Sequence, residues 1–248
     1  MSPAGQQILE QLAVVEQLRA ERRHEPAHAE RVRMVKAYQA SRFERGYADL
    51  LTDPRYRGAA RFFLEELYGP QEFAARDAQF GRIVPALVRM FPDEIVGTVA
   101  SLARLHALSE SLDDAMARAL DGPAIDAATY RRLWQRTGRP EDRQAQIDLT
   151  LRIGEALDRY TRSHLLRGAL RMMRKPAQAA GLGELQRFLE NGFDTFGAMK
   201  GAGDFLAIVR QREEALARAL FGGDAVTSAT SASGGASMDD AAALGQLP

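Results

Sequence analysis

Cysteine is absent from the 248 residues. That excludes disulfides, thiolate metal sites and a cysteine nucleophile outright. Net charge is absent too, since 33 basic residues balance 33 acidic ones. No global field draws such a chain onto nucleic acid or an anionic membrane, and binding of that kind would need a local patch. Long apolar runs are lacking as well. Nothing approaches the roughly 20 apolar residues that span a bilayer, and the opening segment is broken by Gln7, Glu10, Gln11 and Glu16, unlike a signal peptide. A cytoplasmic protein with no membrane partner is the expectation. No stretch alternates apolar and polar residues with β-branched enrichment, so strands are not expected.

What is present is helical periodicity as far as Gly222. Ile8, Leu12 and Val15 recur at spacings of four and three, one face of a helix. Pro26 interrupts that helix, and a second carries Val32, Val35, Phe43, Tyr47 and Leu50. Asp53-Pro54 opens a third, holding Phe62, Phe63, Leu64, Leu67 and Tyr68 and stopping at Gly69-Pro70. From Gln71 to Phe91 the pattern runs through Pro85, whose ring would press on the carbonyl of Gly81; this reads as one kinked helix. Pro92-Asp93-Glu94 starts a helix that ends at Asp121-Gly122-Pro123, and a shorter one around Tyr130, Leu133 and Trp134 follows. Pro140 opens a long helix reaching towards Met173, and two more follow Lys175-Pro176 and Gly201-Ala202-Gly203. The fold class is therefore all-α: one bundle of eight or nine helices over residues 1–222. Residues 223–248, rich in Gly, Ser and Ala, have little to bury and are expected to form a disordered tail.

The main candidate site centres on Asp77, which falls on the apolar stripe between Phe73 and Phe80. A carboxylate placed there must be paired, hydrogen-bonded or protonated. It is either a ligand or general base, with Tyr68 or an arginine such as Arg76 beside it, or a structural clamp held by Tyr68, Arg61 or free helix amides. Arg212 interrupts the stripe of the last helix in the same way, as a partner for Asp77 or as a side chain reaching out from the rim. Among the histidines, His106 and His164 lie on apolar helix faces and are the candidates for a metal held between two helices, although no Glu-x-x-His pair accompanies them. His24 and His28 have the spacing of a helical metal pair but straddle Pro26. Arg159, Arg162, Arg167, Arg171, Arg174 and Lys175 form a basic run, read as a solvated face or an anion grip, with Glu110, Asp113 and Asp114 as acids able to offset it. The glycines near 181–183 and 197–203 match neither a P-loop nor a dinucleotide fingerprint and read as helix caps. No cofactor motif, nucleophile elbow or complete catalytic set is present.

The box Phe62-Phe63-Leu64, Leu67-Tyr68-Gly69-Pro70, Phe73 and Arg76-Asp77, with Met172-Met173, Pro176-Ala177, Gly181-Leu182-Gly183 and Phe188-Leu189 downstream, resembles a family of all-helical bacterial proteins to which no activity is assigned. The resemblance covers roughly residues 30 to 220 and implies no catalytic residue. It directs attention to Tyr68, Arg76 and Asp77. Two functions fit this pattern. One is a non-catalytic interaction or regulatory module with a protein partner or a second copy, no cofactor, and no nucleic acid. The other is a helical enzyme or sensor with an internal small-molecule or metal site near Asp77, His106 and His164.

Overall fold

The computed structural model describes residues 2–67, 74–222, 242–245 and 247–248. Among them the chain is all-helical, with twelve α-helices and no strand. They are α1 (Pro3–His24), α2 (Pro26–Gly46), α3 (Ala48–Thr52), α4 (Arg57–Phe62), α5 (Ala74–Met90), α6 (Asp93–Ala119), α7 (Ala127–Thr137), α8 (Pro140–Thr161), α9 (His164–Met172), α10 (Arg174–Ala179), α11 (Gly183–Ala198) and α12 (Gly203–Phe221). A π-turn, Phe63–Leu67, continues α4.

The count exceeds the expected eight or nine because periodic stretches break at local caps. The stretch from Pro140 towards Met173 divides at Ser163, whose side chain accepts from the Leu166 amide at 3.3 Å and caps α9. Downstream, α10 and α11 divide at Gly181, which sits at φ 70°. There the Leu182 amide reaches back to the Ala177 carbonyl and the Gly181 amide to that of Gln178. This paired closure satisfies the last carbonyls of α10 and favours glycine at the left-handed position. The helix over Pro85 does continue through the proline.

Helix α6 is the spine. It packs most extensively on α1 and also on α2, α7 and α8. Ile8 meets Val96, Ala100 and Ala103 near the start of α6, while Arg22 meets Glu110 and Asp114 near its end, so α1 and α6 run in the same direction. An aromatic core of Phe43, Tyr47, Phe62, Phe63, Phe196 and Phe205 joins α2 and α4 to α11 and α12. At Gly154 the helices α8 and α12 approach so closely that a Cβ would stand 2.6 Å from Leu206.

Of the expected tail, 223–241 and 246 lie outside the described residues. The segment beyond them departs from the expectation of disorder: Ala243 and Leu247 are buried among Val35, Tyr130, Leu216 and Leu220. Tyr38 donates to the Pro248 carbonyl at 3.3 Å and Arg45 to that of Leu247 at 3.1 Å. Composition misled here because two well-placed apolar side chains suffice to anchor a short turn.

Candidate functional site

Arg19, Asp77 and His106 come together between α1, α5 and α6. Asp77 Oδ2 accepts from Arg19 Nη2 of α1 at 2.7 Å and from His106 Nε2 of α6 at 2.8 Å. Burial alone would push the Asp77 carboxyl up; the hydrogen bonds and charges of His106 and Arg19 outweigh it and hold it below the usual range. An ionised carboxylate only accepts, so the proton of the His106 ring sits on Nε2. Beside this pair, Arg76 bonds Glu66 at 2.9 Å and stacks over the Phe188 ring at 4.3 Å.

A second charged cluster lies further along α6. Arg22, 4% exposed, donates to Glu110 Oε2 at 2.6 Å, to the Glu110 carbonyl at 3.2 Å and to Asp114 at 3.3 Å. Lys36 of α2 also bonds Glu110. His28 and Arg118 hold the two oxygens of Asp114 at 2.7 and 2.9 Å. Asp113 accepts only from the Gln39 amide among its described bonds, at 2.9 Å. The two neighbouring carboxyls move in opposite directions. Burial would raise Glu110, but Lys36 and Arg22 pull it down to about 2. Burial, opposed by Lys36 and reinforced by Glu110, leaves Asp113 raised. Carboxylates pushed apart in this way are a mark of functional sites, though structural networks also produce them.

Both clusters border one cavity of about 120 Å³. Lys36, Gln39, Glu110, Asp113, Gln146 and Thr150 line one part; Leu12, Phe80, Val99, Leu102, Leu185 and Leu189 line another; Glu66, Arg76, Asp77 and His106 also border it.

The candidates separate accordingly. Asp77, Arg76 and His106 share the cavity, whereas Tyr68 lies outside the described residues. His164 does not join them: it is exposed at the start of α9, a position opened by the break at Ser163. No group of three or more His, Asp or Glu side chains suited to a metal occurs among the described residues. The His24–His28 pair is not formed either, because α1 ends at His24 while His28 is buried in α2 against Asp114. Arg212 is not the partner of Asp77. It holds Asp49 through both nitrogens, at 2.7 and 2.8 Å, and the Gly46 carbonyl at 2.7 Å. Asp49 is largely exposed, so Arg212→Ala is expected to cost about 1 kcal/mol or less in urea denaturation. Glu110, Asp113 and Asp114 do not offset the basic run; Glu110 and Asp114 bind cationic or histidine side chains of α1, α2 and α6, and Asp113 the Gln39 amide. The run has acids of its own, with Arg159 on Glu94, Arg162 on Asp158, Arg167 on Asp194 and Arg174 on Glu190. No described helix is long and apolar enough to cross a membrane.

Sequence reading passed over Arg19, Arg22, Lys36 and Gln39, each in a helix where charge or amide looked like surface. No curated protein and no solved structure matches the chain. One family model does, over residues 18–227, which takes in α2–α12 and the whole of the cavity wall except Leu12. By that match the chain belongs to the family described as a domain of unknown function, DUF8198.

Proposed function

We propose that this chain binds a small molecule inside its helical bundle, in the cavity bordered by Asp77, His106 and Asp113. The observation that supports this reading is the cavity itself, about 120 Å³ with ionisable groups on its wall. Protein interiors are close-packed, and voids larger than a water are few. A dry cavity of roughly 150 Å³ admits benzene, and this one, at about 120 Å³, is of the same order. An apolar cavity with a few convergent polar groups and displaced carboxyls is the usual form of a ligand site. Within it, the His106 ring is oriented by its 2.8 Å hydrogen bond to Asp77.

Native mass spectrometry of protein purified from its own host tests this, with added mass expected on the folded chain. Asp77→Asn should keep the fold, at a stability cost of about 1–3 kcal/mol for the lost charged hydrogen bonds, and should reduce the bound fraction at least several-fold. Equal occupancy in the variant, or no added mass on the parent, would contradict the reading.

A second reading, an interaction module, has one specific observation in its favour. Helix α9 buries none of its residues, and Leu165 and Met172 are 82% and 77% exposed. Such apolar exposure favours a partner or a second copy. Sedimentation equilibrium distinguishes the two copies from one: association that weakens in Leu165→Glu supports this role for α9, and a concentration-independent monomer removes self-association.

A further inference from the structure

We infer that the ligand of this cavity is a slender amphipathic molecule: an unbranched hydrocarbon chain lying along α6, with an uncharged hydrogen-bonding head beside Asp113. The inference rests on the small-molecule reading above and concerns the class of ligand.

Length comes from α6 itself. The helix contributes to the cavity wall from Val99 through His106 to Asp113, fourteen helical rises, or roughly 21 Å. A volume of about 120 Å³ spread along that distance leaves a narrow channel rather than a round chamber. An alkyl chain fills such a space; a fused ring system does not.

The ends differ in chemistry. Around Val99 and Leu102 the wall comes from Leu12 of α1, Phe80 of α5 and Leu185 of α11, and the Glu66, Arg76, Asp77 and His106 side chains that also border the cavity are already bonded to one another or to Arg19. At the other end Ser109 and Asp113 of α6, four residues apart, share the wall with Gln146 and Thr150 of α8, also four residues apart. Both pairs therefore lie on single helix faces. Gln146 donates to Ser109 at 2.8 Å and Gln39 to Asp113 at 2.9 Å. These are amides and hydroxyls, suited to a hydroxyl or amide head.

Charge at that end is already matched. Glu110 holds Lys36 and Arg22, and Asp113, held by the Gln39 amide, has the charges of Lys36 and Arg143 beside it. A charged head would enter a desolvated space in which no counter-ion stands ready, which is costly. An uncharged head meets donors and acceptors alone.

Binding of 1-octanol, octanoate, octylamine and benzyl alcohol to the full chain at neutral pH, followed by isothermal titration calorimetry, tests the class. We expect 1-octanol to bind at least tenfold more tightly than either charged probe, and affinity to rise about fourfold per methylene from butanol to octanol. Gln146→Ala should weaken octanol while the slope with chain length persists. Leu102→Phe, a volume change at the other end, should flatten that slope. Benzyl alcohol binding as tightly as octanol, a missing chain-length slope, or tighter charged probes would overturn the ligand class and leave the cavity reading standing. If no probe binds but host-purified protein carries a mass, the class is again wrong. If no probe binds and no mass is carried, both readings fall.

Discussion

Arg22→Met should destabilise the protein by about 3–5 kcal/mol, the cost of breaking a buried ion pair by removing one partner. In thermal denaturation that corresponds to a fall of roughly 6–20 °C for a chain of this size. Arg22 is almost wholly buried and donates to both Glu110 and Asp114 across a sequence separation of 88 and 92 residues. Methionine fills much of the same volume but supplies no donor. Glu110 would then depend on Lys36 alone, and Asp114 on His28 and Arg118. Adding Glu110→Gln to Arg22→Met should recover part of the loss, since the uncompensated charge disappears with its partner. A loss below about 1 kcal/mol for Arg22→Met, as for an exposed pair, would mean that the network contributes little to stability.

Acid should unfold the protein through the same cluster. Glu110 titrates near 4.5 when unfolded and at about 2 when folded. Between those values the unfolded chain binds more protons, so stability rises with pH across the window. The Glu110 contribution is fully present above about pH 4.5 and is lost as the pH falls towards 2. Its size is about 3 kcal/mol. Asp77 and Asp114, both held below their ordinary range, act in the same direction. Asp113 acts in the opposite one: its carboxyl is raised by burial, so protonation favours the folded state. Asp113→Asn should therefore stabilise at neutral pH, by on the order of 1 kcal/mol, and make the acid loss steeper. Urea midpoints between pH 2 and 8 measure both. A parent profile that stays flat from pH 5 to pH 2.5 would contradict the assignment to Glu110.

The fold class was legible because apolar spacing at three and four residues survives in every long helix. What periodicity missed were the short elements, where one side chain decides: Ser163 ends a helix that apolar spacing alone would carry on. Asp77 was legible as a carboxylate out of place; of the arginines offered for it, Arg76 does stand beside it, at 4.0 Å, while Arg61 and Arg212 do not pair with it, for a physical reason. Arg61 lies near in sequence and Arg212 lies on a stripe of its own, but helix packing brings Arg19 and His106. A signal for Arg19 existed. Ile8, Leu12, Val15, Arg19 and Arg22 continue one spacing of four and three, as do Val32, Val35, Gln39 and Arg42, and Val96, Ala100, Ala103, Ala107, Glu110 and Asp114. Treating the apolar residues as the stripe hid the charged residues that complete it. Which cation of one stripe meets which anion of another depends on how the helices pack, and spacing within one helix does not encode that.

The long separation between these partners bears on how the chain is made. Synthesis proceeds at about 5–20 residues per second, so Glu110 follows Arg22 after an interval of roughly 5–20 s. For that time the nascent α1 and α2 have no α6 to receive them. Their inner faces carry Arg19, Arg22, Lys36 and Arg42, all of them buried in the finished molecule. While the ribosome is still working, those cations have no acids to bury against, and burying an unpaired charge is costly, so the inner faces stay hydrated. Asp77 of α5, Glu110 and Asp114 of α6 and Glu213 of α12 then supply the acids that turn the same residues inward.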